Sequence, residues 1–384
     1  MTMALSVRKF SVPEIFFGRG TLQYAGLCAK RLGGEKIFLV SDPGLEKAGW
    51  VEKVFALLEK ENLKWFYFSD VVANPRDYQV QDGARLYAER GCDVVMALGG
   101  GSPMDAAKGV ALVASNGGNV HDYEGANRIQ RPLPPMVFIP STGGSGSDVS
   151  QFTIINDVRR QVKMSIISRT LVPNISIIDP ILLTTKSRSL IIAAAIDAMA
   201  HAVESYVSLL ASPFTEMHSL KAVELIVRYL PRAAETRSID ALENLCIAST
   251  SAGMAFSNAS LGMDHALAHS LGGVLDVVHG LIHPVLLPHV MRYNLPACPE
   301  KIARIGQIVL GRQLGSVEKT ALAGIEKLAA YCEALNISTR LRDIVPDRSE
   351  LPQLCRMASL DSCLLTNPRS ATWEDMLRVC EEAW

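Results

Sequence analysis

The stretch CDVVMALGGGSPMDAAKGVALVASN, residues 92–116, decides the fold. Its opening run, CDVVMALGGG (92–101), reads as a buried strand entering a turn, and PMDAAKGVALVASN (103–116) resumes a helical period. Three glycines at the junction let the backbone approach a ligand closely. Pro103 suits the first helical turn, and the N-terminus of the helix offers unpaired N–H groups to an anion. The loop is not GxGxxG, and a tight strand–helix turn with no ligand has the same composition.

Outward from this unit the alternation repeats. KIFLVSD (36–42), WFYFSDV (65–71), PPMVFIPST (134–142), KMSIIS (163–168) and NISIIDP (174–180) read as strands. GWVEKVFALLEKENL (49–63) and VQDGARLYAERG (80–91) read as the helices between them. Such alternation argues for a parallel sheet flanked by helices. From about Thr185 the pattern changes: SRSLIIAAAIDAMAHAVESYVSLL (187–210) is one long helical candidate, and helical stretches follow to the C-terminus. The expected organisation is an α/β domain over residues 1–185 and an all-helical domain over 186–384.

The chain has 384 residues, too many for one small core, which fits two domains. Hydrophobic content of 48% is that of a packed globular protein, and a net charge of -1 gives no reason to expect nucleic acid or an anionic membrane as partner. The N-terminus lacks a long apolar signal region, and no run of about eighteen apolar residues argues for a membrane span. The eight cysteines are scattered without CxxC, as for free thiols in a reducing compartment, so a cytoplasmic location is expected.

A second Gly/Ser/Thr loop, STGGSGSD (141–148), follows a strand and is placed to add hydroxyl and amide donors around a phosphate. Asp42 ends the strand KIFLVSD, where a carboxylate can accept from adenosine ribose hydroxyls and would repel a 2′-phosphate, favouring NAD(H). Spacing alone favours a turn or helix-cap role for it, before Pro43.

Five of the eight histidines fall between His265 and His289. Asp197 and His201 lie four apart in IDAMAHAV, hence on one face of a helix that is otherwise apolar. A carboxylate there needs a metal or a cationic partner. His265 and His269 repeat the spacing in GMDHALAHSLGG, a helix that Gly272 and Gly273 are expected to interrupt, and His279 lies beyond the break. One aspartate and three imidazoles make a closed ligand set for Fe²⁺ or Zn²⁺, although spacing does not say which imidazoles bind and which do chemistry.

With GGGSPMDAAK, DAMAHAVESYVS, MAFSNASLG and HALAHSLGG, the chain resembles the iron-dependent (group III) alcohol dehydrogenases over essentially its full length. The resemblance implies a dehydroquinate synthase-like fold, with residues 1–185 as the dinucleotide-binding α/β domain, 186–384 as the metal-binding, catalytic helical domain and the active site in the cleft between them, and a homodimer or larger assembly. It implies metal ligands Asp197, His201, His265 and His279, with His269 as a non-ligand histidine near the nicotinamide that serves proton transfer. It places NAD(H) against Asp42, Asn74, Gly100, Gly101, Ser102, Asp105, Ser141, Thr142 and Lys163, and lines the substrate cleft with Phe152, Phe256, Leu261 and Cys363. The implied activity interconverts a short-chain primary alcohol and its aldehyde. The alternatives are a polar or anionic aldehyde such as lactaldehyde, 3-hydroxypropionaldehyde or sulfoacetaldehyde, a glycerol dehydrogenase-like or dehydroquinate synthase-like chemistry, or a non-catalytic binding protein.

Departures from the family pattern surround the ligand set. AAIDAMAHA stands where TGMDALTHA is usual, and TGGSGSD where TAGTGSE is usual. LDVVHGLIHP puts His283 where a small amide is typical, and Asp264 stands where an apolar residue is expected. If His283 faces the cleft, it suits a polar or anionic substrate; the alternative is a place in helix packing.

Overall fold

The computed structural model describes residues 9–275 and 277–384. Nine strands lie among them: β1 (Glu14–Phe17), β2 (Lys36–Val40), β3 (Lys64–Phe68), β4 (Val94–Gly99), β5 (Gly125–Ala126), β6 (Met136–Pro140), β7 (Phe152–Asp157), β8 (Val162–Ile167) and β9 (Ile175–Ile178). Six of them form one sheet in the order β1-β9-β6-β4-β2-β3, and every pairing in it is parallel. After β3 the chain crosses back over β2 to place β4, so the strand order reverses between β2 and β4. Ligand crevices in open α/β sheets form at the carboxyl ends of strands flanking such a reversal.

Alternation along the strands explains why helices cover both faces. Ile37, Leu39, Met96, Leu98, Val137 and Ile139 pack with Trp50, Val51, Val54 and Leu58 of the helix Trp50–Lys60 on one side. Phe38, Val40, Val95, Ala97 and Phe138 pack on the other side with Met104, Ala107, Val110 and Ala111 of α1 (Gly101–Asn116). Each large apolar side chain buried this way contributes about 1.5–3 kcal/mol.

One expectation needs correction here. KMSIIS belongs to a separate three-stranded sheet, order β5-β8-β7, in which β8 pairs antiparallel with β7. The turn between them is built by Asp157, whose Oδ1 accepts from the amides of Arg159 and Arg160 at 2.9 Å each, with Gln161 in the left-handed region. Apolar runs show that a strand forms, not which sheet it joins.

Everything after β9 is helical among the described residues. The central element is α2 (Arg188–Val207), capped by Ser187 Oγ accepting from Leu190 N, and buried from Ile191 onward. It is long and apolar enough to cross a membrane, but 94% of its apolar window is buried inside this fold, as in the core helix of a globular protein. Around it pack the helix Pro213–Thr236 and α3 (Ile239–Ala259), followed by α4 (Met263–Leu275) and α5 (His283–Asn294). The expected interruption at Gly272-Gly273 does not occur: α4 runs through both. They serve close approach instead, since a Cβ on Gly272 would stand 2.8 Å from Lys163 Nζ, and one on Gly273 would stand 3.3 Å from Gln161 O and Lys163 N. The missing side chains let α4 lie against β8. All eight cysteines are free and buried.

Candidate metal centre and cofactor cleft

A cleft of about 840 Å³ runs from the β2/β4 crevice to the apolar ends of α2, α3 and α4. All eighteen residues selected from the sequence as cofactor, metal, proton-transfer or substrate contacts border it, from Asp42 to Cys363.

At the sheet end, Asp42 follows β2 and caps the short helix Pro43–Lys47, its Oδ1 accepting from Gly44 N at 2.8 Å and Leu45 N at 3.1 Å. Cap and cleft position coexist in this residue. Gly100 is the N-cap of α1, so the glycine loop presents the amide end of a sixteen-residue helix to the cleft. A Cβ on Gly100 would meet Thr142 Cγ2 at 2.8 Å, and one on Gly101 would meet Ser145 Cβ at 3.1 Å, so the two Gly/Ser loops touch only because side chains are missing. Ser102 Oγ accepts from Asn74 N at 3.2 Å, tying in the loop after β3. Asp105 accepts from Ser147 Oγ at 2.5 Å, and burial pushes its carboxyl up to about 6. The lysine of the DAAK motif has a structural task. Lys108 Nζ is fully buried and donates to Ser150 O at 2.8 Å and Phe152 O at 2.7 Å, fastening α1 to the strand that carries Phe152.

At the helical end, four imidazoles surround one carboxylate oxygen. The Nε2 atoms of His283, His265, His201 and His279 lie 3.2, 3.7, 3.8 and 3.8 Å from Asp197 Oδ1. Asp197 and His201 come from successive turns of α2, His265 from α4, His279 from the 3-10 turn His279–Leu281, and His283 from the first residue of α5. Donors sharing one ion at bonds of about 2.1 Å stand roughly 3–4 Å apart. Asp197 Oδ1 and His265 Nε2 are buried and form no hydrogen bond among the described residues. Such orphaned acceptors are costly, and a cation satisfies them. The donor set, one carboxylate with imidazoles, fits Fe²⁺ or Zn²⁺.

The electrostatics agree. Burial favours the neutral rings, holding His201 down at about 3 and His265 at about 4 and pushing His279 well below the usual imidazole range. Neutral imidazole is the form that coordinates. Burial alone would raise Asp197, but the surrounding rings pull it well below the usual carboxylate range. His201 is stacked between Phe256 and His265, with centroids 4.3 and 4.4 Å away.

Two residues that the sequence did not single out, Glu204 and Asp361, stand behind the rings, together with Asp264. Glu204 Oε2 meets His265 Nδ1 at 2.5 Å, Asp264 Oδ2 meets His283 Nδ1 at 2.5 Å, and Asp361 Oδ2 meets His269 Nδ1 at 2.8 Å. Each carboxylate fixes the tautomer and leaves Nε2 as the working atom. Glu204 carried a readable signal, since positions 197, 201 and 204 share one helix face. Asp361 carried none, lying 92 residues from its histidine. Of the two places left open for His283, the structure has the buried one: it is fully buried away from the cleft, as is Asp264. The four-ligand set therefore has a fourth imidazole beside it. Asp197, His265, His279 and His283 each offer a ligand atom, and these four atoms lie within 4.8 Å of one another.

Phe152 and Phe256, with ring centroids 5.6 Å apart, and Leu261 form an apolar wall beside these donors. Cys363 completes it, its thiol raised well above the usual range by burial and therefore un-ionised.

Comparison with known proteins agrees with this geometry. Residues 13–180 match the family described as iron-containing alcohol dehydrogenase, and residues 191–384 match the C-terminal part of the Fe-containing alcohol dehydrogenase family. The chain is 37% identical to a 1,3-propanediol dehydrogenase of Citrobacter freundii over 99% of this chain and 100% of that one. It is 34% identical to an NAD-dependent methanol dehydrogenase of Bacillus methanolicus, covering 97% and 99%. A crystal structure of 1,3-propanediol oxidoreductase superimposes with a TM-score of 0.95 at 36% identity, covering 99% of this chain and 100% of that one. The chain belongs to the iron-containing alcohol dehydrogenase family and is an oxidoreductase of that family.

Proposed function

We propose that the protein interconverts a short-chain, uncharged primary alcohol and its aldehyde, with Asp197, His201, His265 and His279 holding Fe²⁺ or Zn²⁺ and the sheet end of the cleft holding NAD(H). The observation that carries this reading is the convergence of imidazole Nε2 atoms on Asp197 Oδ1 at one end of a cleft whose other end is a glycine loop. When bound, the ion supplies Lewis acidity at the substrate oxygen and NAD(H) supplies the hydride chemistry.

The chain's own residues do the rest. Gly100 to Ser102 and the amide end of α1 hold the pyrophosphate, Ser141 and Thr142 add hydroxyls, and Asp42 receives the ribose. Asn74, Asp105 and Lys163 complete the cofactor wall. Phe152, Phe256 and Leu261 exclude water and accept a short carbon chain. His269, held through Nδ1 by Asp361, takes up or returns the proton at Nε2. His283 is buried outside the cleft and offers no cation to an anionic substrate, which favours a neutral one.

The test is an NADH assay on anaerobically purified, metal-analysed protein with acetaldehyde, butyraldehyde, lactaldehyde, 3-hydroxypropionaldehyde and sulfoacetaldehyde. The neutral aldehydes should show the highest kcat/KM. Absence of NADH oxidation with every one of them in metal-replete protein ends the reading.

Two substitutions probe the assigned roles. His269→Ala should keep its metal yet lose about 10²–10⁴-fold in kcat, the scale of a general acid–base group. Asp361→Asn should lose activity in the same direction by a smaller factor. Unchanged kcat in both variants removes His269 from proton transfer. Asp42→Ser keeps a helix-capping oxygen but removes the charge. Like charges about 4 Å apart at an effective dielectric near 20 repel by about 4 kcal/mol, so kcat/KM with NADPH relative to NADH should rise at least about tenfold. An unchanged cofactor ratio places Asp42 away from the ribose.

A further inference from the structure

We propose that His283 is a fifth protein donor to the ion, oriented by Asp264, and that this pair biases the centre toward metals that accept more than four ligands. The inference rests on the reading above, in which Asp197, His201, His265 and His279 hold an ion.

Position is the first argument. Among the four rings, His283 has its Nε2 nearest to Asp197 Oδ1, at 3.2 Å, and 3.4 Å from His279 Nε2. Its ring centroid lies 4.5 Å from that of His265 and 4.7 Å from that of His279. Orientation is the second. The contact from Asp264 Oδ2 to His283 Nδ1 has the same length, 2.5 Å, as that from Glu204 Oε2 to His265 Nδ1. Two rings are thus aimed at Asp197 Oδ1 by two carboxylates behind them, the arrangement that fixes a ligand histidine's tautomer. Isolation is the third. Asp264 and His283 are both fully buried and do not border the cleft, so neither touches substrate or cofactor. A buried charged pair with no contact to either needs another occupation, and the ion site beside it supplies one.

The competing role is a plain ion pair. Burial disfavours a charged His283, but the carboxylates of Asp264 and Asp197 outweigh it and hold the ring up at about 10. A protonated His283 bridging two carboxylates would satisfy them without any metal. That role leaves unexplained why three further Nε2 atoms converge on the same oxygen.

The consequence concerns metal choice. Zn²⁺ is most often satisfied by four ligands, three from protein and one open position in a catalytic site. Five protein donors oversupply it. Ions that readily take five or six ligands, Fe²⁺ and Co²⁺ among them, keep an open position beside five donors.

The test compares the native protein with the double variant Asp264→Val/His283→Asn, which removes both buried charges together and leaves neither uncompensated. Each protein is stripped with chelator, checked for folding by circular dichroism, and titrated with Co²⁺ and Zn²⁺ against a chromophoric chelator. The double variant should bind Co²⁺ at least about tenfold more weakly, the scale of losing a metal-site partner, and lose less for Zn²⁺. The visible bands of its Co²⁺ form should intensify as coordination number falls. The single variant Asp264→Asn should weaken Co²⁺ binding by a smaller factor. Unchanged affinities and an unchanged Co²⁺ spectrum in the folded double variant overturn the proposal and leave His283 an ion-pair partner. His265→Ala separates the two levels: if it binds Co²⁺ as native protein does, the metal centre itself is misplaced.

Discussion

His265→Ala is expected to lose metal and activity together. The residue sits at the middle of the cluster, its ring stacked on His201 and 5.6 Å from the centroid of His279, with Nε2 3.7 Å from Asp197 Oδ1. Alanine removes a donor, opens a cavity among buried rings and takes away the imidazole partner of Glu204 Oε2, leaving that carboxyl with the Asp264 amide on Oε1. That carboxyl already stands at about 7 because burial disfavours its charge, so it will protonate rather than hold a nearby ion. Loss of the group that stabilises charge on a reacting oxygen costs about 10²–10³-fold or more in kcat. Elemental analysis, an NADH assay and thermal unfolding with and without added metal should be read on the same preparation. Native protein should melt higher when loaded, since an ion at 1,000 times its Kd adds about 4 kcal/mol, and the variant should show no such gap. Full activity in metal-free His265→Ala protein would sink the mechanism.

Gly280→Ala should damage the same centre without touching a donor atom. Gly280 follows His279 in the 3-10 turn, and a Cβ on it would lie 2.4 Å from Ala193 O and 2.8 Å from Ala193 C. Both are backbone atoms of α2, one turn before Asp197, so no rotamer change relieves the clash. The turn must move away from α2 and carry His279 with it. Overpacking of this kind costs about 1–3 kcal/mol in stability, and the larger effect falls on metal affinity. The gap in melting temperature between loaded and stripped protein should narrow sharply while circular dichroism stays native. A Gly280→Ala protein that binds metal as tightly as native shows that the turn tolerates displacement and that His279 is not held by it.

Much of this was legible in the amino-acid order. The apolar runs ending at Val40 and Gly99, the glycines after the second, and the two aspartate- and histidine-bearing helices are local patterns, and local patterns survive folding. What escaped the reading is set by distance along the chain. Gly272 and Gly273 look like a helix stop until β8 is brought against them. The strand Val162–Ile167 gives no hint that its partner is Phe152–Asp157 in a second sheet. Asp361 reaches His269 only after the helices close, and His283 looked free to face a substrate because its partner, Asp264, is a full helix away.

The buried pairing of Asp264 with His283 has a historical consequence. A chain that acquired the aspartate first would carry an unpartnered negative charge in its core, a penalty on the order of 3–5 kcal/mol and comparable to the whole margin by which a protein stays folded. An unprotonated histidine arriving first carries no charge and is tolerated. The order of arrival with the lower penalty is therefore imidazole before carboxylate, and losing the histidine alone now costs the fold more than losing the aspartate alone.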